Sequence, residues 1–227
     1  MAIVKRDFPT LEGCAAAIAV AMGEALGHGI ERRGEAVMAL SGGRTPRHIF
    51  PLLAKQRLDW SKVTLTLVDE RWVDPSHPDS NENLVREFLL AGAARAAKFV
   101  PLKTKASTPE QGIGEAEANM DRLSWPLEAI FLGLGEDGHI ASFFPGEGIW
   151  EEAAGRCVAV PADGSRLARI SLSGRALLDC RRIYLLFAGA NKGKAFAAAL
   201  NPGPIGVHPL RLVLGQEKVP VFVYAAE

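Results

Sequence analysis

The chain alternates short apolar runs with longer stretches in which apolar residues recur every three or four positions. The runs predict buried strands, and the longer stretches predict amphipathic helices. Strands are predicted over residues 35–40, 63–68, 127–134, 157–160, 168–172, 182–188 and 219–224. Helices are predicted over residues 11–26, 48–58, 80–97, 109–123 and 191–200. This alternation indicates βαβ units, and therefore an α/β fold with a mostly parallel sheet flanked by helices.

Length and composition fit one globular domain. The chain has 227 residues, of which 48% are hydrophobic and 23% are charged. A chain of this size can bury a sizeable core and still remain within the range of a single domain. Because no segment has the composition of a linker, residues 1–227 are predicted to form one domain.

Charge, cysteine content and hydropathy argue against several classes of protein. Lys plus Arg and Asp plus Glu each number 26, so no overall basic field would attract nucleic acid or anionic lipid. Cys14, Cys157 and Cys180 form no Cys-x-x-Cys or Cys/His cluster, which favours reduced thiols over structural zinc. No apolar stretch approaches the roughly 18 residues that suggest a membrane span. We expect a cytoplasmic protein without nucleic-acid or membrane partners.

A glycine-rich turn follows the predicted strand at residues 127–134 and carries Asp137 and His139. Side chains just after a parallel strand emerge at its carboxyl end, where open α/β sheets bind ligands. A histidine can move protons near neutral pH, and a carboxylate two residues away could orient or charge it. The turn alone fits a catalytic site and an ordinary tight turn equally well.

A second glycine turn, SGGRTP at residues 41–46, lies between a predicted strand and a predicted helix. Gly42 and Gly43 let backbone N–H groups converge on an anion, while the hydroxyls of Ser41 and Thr45 add donors. The N-terminus of the helix adds a partial positive charge. The turn is neither a Walker loop nor a dinucleotide fingerprint. Taken alone, it is more typical of an ordinary capped turn, although a phosphate would fit it well.

Three ionisable residues, Asp69, Glu70 and Arg71, follow the predicted strand at residues 63–68. Arg71 could bind a phosphate or a carboxylate through two nitrogens, while Asp69 could hold a sugar hydroxyl or manage a proton. A surface cluster of ion pairs would have the same composition. Because three separate strands end in reactive residue types, a site at one edge of the sheet is favoured.

Together these segments resemble the family that holds the 6-phosphogluconolactonases and the glucosamine-6-phosphate deaminases. The resemblance is carried by residues 40–46, 69–73, 79–81, 133–146 and 169–172, in an order that spans nearly the whole chain. It implies a single-domain, Rossmann-like α/β fold. It also implies hydrolysis of 6-phospho-D-glucono-1,5-lactone to 6-phosphogluconate without a metal or cofactor, in the oxidative pentose phosphate or Entner-Doudoroff route.

The resemblance also implies how the substrate phosphate is held. In the family, positions of the kind occupied by Arg169 and Lys192 face the phosphate. Both residues, together with the turn at residues 41–45, are therefore expected to bind this dianion through charge-assisted hydrogen bonds. Residues 145–152 are a candidate rim or lid loop, and a monomer or weak homo-oligomer is expected.

The chemistry expected from the resemblance centres on His139, which would take a proton from water as the water attacks C1. Asp137 or a neighbour would orient the imidazole, and Asp69 is a second carboxylate that could contact sugar hydroxyls. Arg71 or a backbone N–H would stabilise the oxyanion. These alternatives remain open at the level of sequence.

Two other functions are weighed against the lactonase. In the deaminases, the histidine loop resembles GHIAFNEP, and its glutamate supports ring opening. Here the corresponding segment, residues 138–145, reads GHIASFFP, so Phe144 occupies the position of that glutamate. Arg71 stands where the deaminases tend to have a tyrosine. A noncatalytic sugar-phosphate sensor would carry a helix-turn-helix before the fold. None is expected before the helix that starts at residue 11. Both comparisons favour the lactonase.

Overall fold

The computed structural model describes residues 3–148 and 153–227. Its strands are β1 (Ile3–Phe8), β2 (Ala36–Leu40), β3 (Val63–Leu67), β4 (Asp69–Arg71), β5 (Lys98–Phe99), β6 (Ala129–Gly133), β7 (Cys157–Val160), β8 (Arg169–Leu172), β9 (Ile183–Ala188) and β10 (Val221–Ala226). Its helices are α1 (Leu11–Arg33), α2 (Pro46–Leu53), α3 (Asn81–Phe88), α4 (Pro109–Asp121), α5 (Gly174–Leu177), α6 (Ala190–Leu200) and α7 (Arg211–Leu214). The predicted α/β fold is confirmed.

Within the described ranges, the central sheet has seven strands in the order β1-β10-β9-β6-β2-β3-β5, and every neighbouring pair is parallel. From β2 the chain moves outward to β3 and β5, whereas from β6 it moves the other way to β9 and β10. The order therefore reverses between β2 and β6. Open α/β sheets bind ligands outside the carboxyl ends of the strands at such a reversal.

The central strands are buried because helices cover them. All of β2 is buried, as is β9 up to its last residue, and such continuous apolar runs are typical of strands covered on both faces. Helix α1 packs through a face that includes Cys14, Ile18, Met22 and Leu26. The hydroxyl of Tyr184 in β9 donates a hydrogen bond to the carbonyl of Ala21 at 2.8 Å. These contacts hold α1 against the sheet.

Helix α1 is more apolar than the sequence analysis expected. Its 23 residues have a mean hydropathy of 1.3 in the most apolar window, so by length and composition it could cross a membrane. Half of that window is buried inside the protein. Thr10 caps the helix by accepting from the Gly13 N–H, and Gly34, with φ of +79°, ends it. Packing as a core helix accounts for the same apolar residues.

Several elements differ from their predicted bounds. The helix expected over residues 80–97 ends at Phe88, and a separate 3-10 turn begins at Gly92, whose φ of +55° cannot continue an α-helix. The helix expected over residues 48–58 is α2 and ends at Leu53. Strand β1 was not predicted, because the middle of IVKRDF is polar and exposed, as is typical of a sheet edge.

The strands predicted over residues 157–160 and 168–172 lie outside the central sheet. They are β7 and β8, which pair antiparallel with each other, and β4 joins the other side of β8. Residues Asp69–Arg71, expected at the end of a strand, therefore form a strand themselves. Asp69 lies opposite Ser171 and Arg71 opposite Arg169. This pairing brings two guanidinium groups to one place beside the central sheet.

The candidate lid loop at residues 145–152 lies partly outside the described residues, which stop at 148 and resume at 153. In its described part, the Gly146 N–H donates to the carbonyl of Gly206 at 2.8 Å. This hydrogen bond ties the start of the loop to the segment before α7. The role of the loop as a lid remains a prediction.

A buried carboxylate, Glu128, ties the amino end of the sheet to the end of α1. Its oxygens accept from Nη2 of Arg32 at 2.9 and 3.0 Å, from Nη2 of Arg33 at 3.1 Å and from Nη2 of Arg182 at 3.1 Å. The Glu128 side chain is 0% exposed, while these arginines keep partial access to water. A carboxylate buried in this way is stable only because its partners satisfy it.

Glu128→Ala is expected to lower the free energy of unfolding by about 2–4 kcal/mol, because the arginines lose their shared partner. Part of this loss of stability is offset because the arginine side chains can turn toward water. Glu128→Gln keeps the shape and is expected to lose less. Urea denaturation measures both. Glu87→Ala, at an exposed position of α3, is the control and should change stability by less than about 0.5 kcal/mol. Equal losses at the two positions would contradict the role given to Glu128.

Candidate active site

A cavity of about 170 Å³ lies at the carboxyl end of the central sheet, where the strand order reverses. It is bounded by the segments after β2, β6 and β9 and by β4 and β8 of the second sheet. The predicted site residues that line it are Ser41, Gly42, Gly43, Thr45, Asp69, Arg71, His139, Arg169 and Lys192. The fold thus brings together residues from distant parts of the chain. Asp137 lies behind His139 and does not line the cavity.

His139 and Asp137 form a hydrogen-bonded pair. Nδ1 of His139 lies 2.6 Å from Oδ1 of Asp137, which also accepts from the His139 backbone N–H at 3.1 Å. The hydrogen bond to His139 lowers the pKa of Asp137 to about 2, so Asp137 is ionised near neutral pH. An ionised partner at Nδ1 keeps the proton of a neutral imidazole on that nitrogen. Nε2 is then the nitrogen able to accept a proton in the cavity.

Gly135 allows this pair to form. A Cβ at position 135 would lie 2.1 Å from Nδ1 of His139 and 2.5 Å from Oδ1 of Asp137, closer than atoms can approach. The turn is closed by hydrogen bonds from Gly135 N to the His139 carbonyl at 2.9 Å and from Gly138 N to the Gly135 carbonyl at 3.1 Å. Gly138 has φ of +86°, which other residues rarely adopt.

The turn after β2 offers backbone donors to the cavity. The Ser41 N–H donates to the carbonyl of Phe131 in β6 at 3.0 Å. Within the described ranges, the N–H groups of residues 42–44 donate to no protein acceptor. The Thr45 side chain makes no capping hydrogen bond at α2, which starts one residue later. Free donors at the N-terminus of a helix favour a bound anion.

Within the described residues, four cations line the same cavity, Arg44, Arg71, Arg169 and Lys192. The donors of the two arginines from the second sheet are only partly used. Arg169 Nη1 lies 3.3 Å from Asp69 Oδ2, and Arg71 Nη1 donates to the Asp79 carbonyl at 2.6 Å. The buried Nε atoms of Arg71 and Arg169 have no partner among the residues the structure describes. Burial lowers the pKa of Lys192, in the first turn of α6, and also that of Arg169. Such partly dehydrated cations gain from an anionic ligand.

Asp69 is a buried carboxylate between these cations and the histidine turn. Its Oδ2 accepts from the Ser142 hydroxyl at 2.6 Å and interacts with Arg169. Within the described residues, Oδ1 of Asp69 accepts no hydrogen bond from the protein. An acceptor with a free lone pair at the wall of a cavity can receive a hydroxyl of a ligand.

Two positioning residues, Asn81 and Ser142, lie outside the set of residues predicted for the site. Asn81 Nδ2 donates to the Asp69 carbonyl at 2.8 Å, and a Cβ at position 42 would lie 1.8 Å from Asn81 Oδ1, so only Gly42 fits there. Ser142 orients Asp69. The signal for Asn81 was present, because residues 79–81 carried part of the family resemblance, whereas nothing in the local pattern around Ser142 pointed to Asp69.

Glu70, to which the sequence assigns no role, contacts the backbone of two residues that line the cavity, Arg71 and Asn81. Its carboxylate accepts from the N–H groups of Arg71, Asn81 and Glu82, each at 2.7 Å, and from the Ser80 hydroxyl at 3.0 Å. Burial raises the pKa of Glu70, while these hydrogen bonds act in the opposite direction. The carboxylate joins β4 to the N-terminus of α3 and thereby fixes both Arg71 and Asn81.

Among the described residues, no group of three or more His, Cys, Asp or Glu side chains could hold a metal ion. The cysteines are buried and unpaired. Burial raises the pKa of Cys14 to about 11 and that of Cys180 to about 12. These thiols therefore remain protonated near neutral pH and lack the reactivity of a thiolate.

Comparison with known proteins identifies the family. The model of the glucosamine-6-phosphate isomerases/6-phosphogluconolactonases matches residues 9–221. The chain belongs to this family. It is 40% identical over 224 residues to a 6-phosphogluconolactonase of Mesorhizobium japonicum, covering 96% of this chain and 93% of that protein. A 6-phosphogluconolactonase of Rhizobium meliloti is 38% identical over 96% of this chain and 97% of its own.

Solved structures agree with the sequence comparison. A crystal structure of a 6-phosphogluconolactonase from Shewanella baltica superposes with a TM-score of 0.96 at 37% identity, covering 100% of this chain and 98% of that chain. The family resemblance predicted from the sequence is confirmed, and so is the α/β architecture. The roles of individual residues in the family site remain proposals.

Gly135→Ala is expected to separate His139 from Asp137, because the new methyl group would occupy the space of the imidazole. The nitrogen-15 chemical shifts of the His139 ring measure this change. In the native protein, they should report a proton on Nδ1 in the neutral form, and in the variant this preference should weaken.

Gly114→Ala is the matched control, since a Cβ at this helical position meets no atom within 4 Å. It should leave the His139 signals unchanged and should not lower stability. Unchanged His139 signals in a folded Gly135→Ala protein would mean that the turn relaxes and that the glycine is not required.

Proposed function

We propose that this protein hydrolyses 6-phospho-D-glucono-1,5-lactone to 6-phospho-D-gluconate, with His139 as the general base on water. The observation that carries the proposal is the cavity itself, whose wall combines His139, hydrogen-bonded to Asp137 behind it, with cations and free N–H donors. A substrate that carries both a phosphate and a reactive carbonyl matches this combination of groups. The names of the relatives support the same reaction.

The phosphate is the anchor in this proposal. Arg169, Lys192 and the turn that contains Ser41, Gly42, Gly43 and Thr45 surround it with N–H, hydroxyl and charged donors. Each hydrogen bond from a cation to a phosphate oxygen is stronger than one between neutral groups. Because the anchor is fixed to the sheet edge, the lactone carbonyl at the other end of the sugar is directed toward His139.

His139 and Asp137 then perform the proton transfers. Nε2 takes a proton from water while the water oxygen attacks C1, and the imidazolium is stabilised by the ionised Asp137 at Nδ1. The tetrahedral intermediate collapses as the bond between C1 and the ring oxygen breaks, and the imidazolium returns the proton to that oxygen. The products are a hydroxyl and a carboxylic acid, which ionises in water. Asp137 accepts no proton at any step.

Two residues are assigned to the rest of the substrate. Asp69 presents an acceptor that the described part of the protein leaves free, and we assign to it a sugar hydroxyl. The buried Nε of Arg71 lacks a partner within the same residues, and it or a backbone N–H of a glycine turn stabilises the oxyanion. A buried donor of this kind has a fixed direction before the substrate arrives, as electrostatic catalysis requires.

The alternative reaction of the family, isomerisation with deamination, is disfavoured at Phe144. Its ring centroid lies 4.8 Å from that of His139, at the position where the deaminase loop would have a glutamate. A phenyl ring can neither accept nor release a proton, so it cannot support ring opening of an amino sugar. A purely binding role is disfavoured because sensing a phosphosugar does not require the Asp137–His139 pair.

We further assign residues 1–227 to a single lactonase domain in the cytoplasm, as a monomer or weak homo-oligomer without nucleic-acid or membrane partners. The family match over residues 9–221 supports the domain assignment, and the balanced charge supports the absence of nucleic-acid binding. The half-buried α1 is consistent with a helix that packs on the sheet. The product would enter the oxidative pentose phosphate or Entner-Doudoroff route.

Purified protein should accelerate acid release from freshly prepared 6-phosphogluconolactone and leave glucosamine 6-phosphate unchanged. The lactone also opens without enzyme, so each rate is measured against a buffer blank in a pH-stat. Unphosphorylated gluconolactone should be a poor substrate, because it leaves Arg169, Lys192 and the turn donors unpaired. Treatment with EDTA should have no effect. Ammonia release from the amino sugar without lactonase activity above the blank would refute the proposal.

Variants should separate the chemical step from phosphate binding. His139→Ala is expected to lower kcat by about 10²–10⁴ with a modest change in KM, as for loss of a general base. Lys192→Ala should mainly raise KM, with some loss of kcat because a loosely held phosphate misplaces C1. Lys194→Ala is the matched control, since Lys194 is exposed on the same helix and does not line the cavity.

Steady-state kinetics on the lactone measure these effects, and thermal melts of each variant exclude unfolding as the cause. If a folded His139→Ala protein kept near-native kcat while Asp69→Ala abolished it, the base would be reassigned to Asp69.

A further inference from the structure

The imidazole of His139 is held at one edge by a hydrogen bond and at its flank by an aromatic ring. Asp137 engages Nδ1, and the Phe144 ring lies 4.8 Å away between centroids, with 42° between the ring planes. One hydrogen bond leaves the imidazole free to tilt about that contact, so the direction of Nε2 depends on what packs beside it. Phe144 is 6% exposed. The position of the Phe144 ring therefore affects the direction in which Nε2 of His139 points.

Arg166 covers Phe144. Its Cζ lies 3.7 Å from the centroid of the phenyl ring, a distance at which a planar guanidinium stacks on an aromatic face. Arg166 is also the inward-turned residue of an exposed loop. Residues 161–165 and Leu167 are exposed, whereas the Arg166 side chain is only 20% exposed. The loop thus directs one cation onto the ring.

Two carboxylates hold the Arg166 guanidinium in this position. Nε donates to Oδ2 of Asp163 at 2.7 Å, and Nη2 forms ion pairs with Asp163 and with Glu147. Oδ1 of Asp163 also accepts from the backbone N–H groups of Ser165 at 3.0 Å and Arg166 at 2.8 Å. Glu147 follows Phe144 in the chain, so Arg166 joins the loop between β7 and β8 to the segment that carries His139.

We propose that Arg166 is a positioning residue for His139 and acts through Phe144. The proposal rests on the proposed role of His139 as general base. Asp163 and Glu147 fix the guanidinium, the guanidinium fixes the phenyl ring, and the ring limits the tilt of the imidazole. Among the described residues, neither Arg166 nor Phe144 lines the cavity. The two carboxylates offset the charge of Arg166, so its effect on His139 comes through packing.

Arg166→Ala is expected to lower kcat on the lactone by about 3- to 30-fold, because a less well oriented Nε2 reacts more slowly. KM should change less than kcat, since Lys192 and the turn at residues 41–45 are untouched and Arg169, whose Cζ lies 5.3 Å from the Phe144 ring centroid, keeps its interaction with Asp69. Arg166→Lys keeps the charge without the stacking plane and should recover part of kcat. Arg95→Ala, at an exposed arginine that does not line the cavity, is the control and should match the native enzyme.

A double-mutant cycle tests whether Arg166 acts through Phe144. Phe144→Leu should lower kcat at least as much as Arg166→Ala, and the double variant should resemble Phe144→Leu alone. Phe144→Met replaces Phe144→Leu if the latter does not fold. Melting temperatures are recorded for every variant.

The proposal would be overturned if the fold-losses in kcat of the two single variants multiplied in the double variant. It would also be overturned if Arg166→Ala lowered the melting temperature but kept native kcat, or raised KM alone. A His139→Ala enzyme with native kcat would instead refute the general base. If His139→Ala is inactive while Arg166→Ala keeps native kcat, the positioning role of Arg166 is refuted and the general base is not.

Discussion

The parallel pairing of β2 with β6 is the constraint on which the whole cavity depends. Leu40 lies beside Phe131 in the register, and the Ser41 N–H continues the ladder onto the Phe131 carbonyl. The two glycine turns therefore leave the sheet side by side, one carrying the free N–H donors of residues 42–44 and the other carrying His139. A slip of one residue would move every side chain of the strand to the other face of the sheet, and the turns would no longer meet.

The second constraint is the close approach of backbone to side chains at two positions, where only glycine fits. At Gly42 the backbone passes so near to Asn81 that no Cβ fits, and at Gly135 the space is taken by the Asp137–His139 pair. Asn81 is buried, whereas the Asp137–His139 pair is partly exposed, and each of these polar groups has a partner. Glu70 satisfies the N-terminus of α3, which is the kind of internal pairing that buried charge requires. The site is thus organised before any substrate arrives.

Electrostatics in this protein are local. The formal net charge is zero, yet Arg44, Arg71, Arg169 and Lys192 converge on one cavity, where Asp69 is the acidic side chain among the described lining residues. The antiparallel pairing of β4 with β8 produces much of this concentration, because it sets Arg71 opposite Arg169. A site of this kind attracts an anion at short range without a long-range field, since exposed charges more than about 10 Å apart are largely screened by salt.

The α/β class, the strands at the centre of the sheet and half of the described residues that line the cavity are predictable from the sequence. These follow from local chemistry: continuous apolar runs make buried strands, and side chains after parallel strands meet at one edge. Tertiary structure alone decided the second sheet, the strand nature of residues 69–71, the edge strand β1, and the contacts of Ser142 and Arg166. Each depends on partners far along the chain, as in the hydrogen bond from Ser142 to Asp69. The local pattern of apolar and polar residues does not specify which distant residues come into contact when the chain folds.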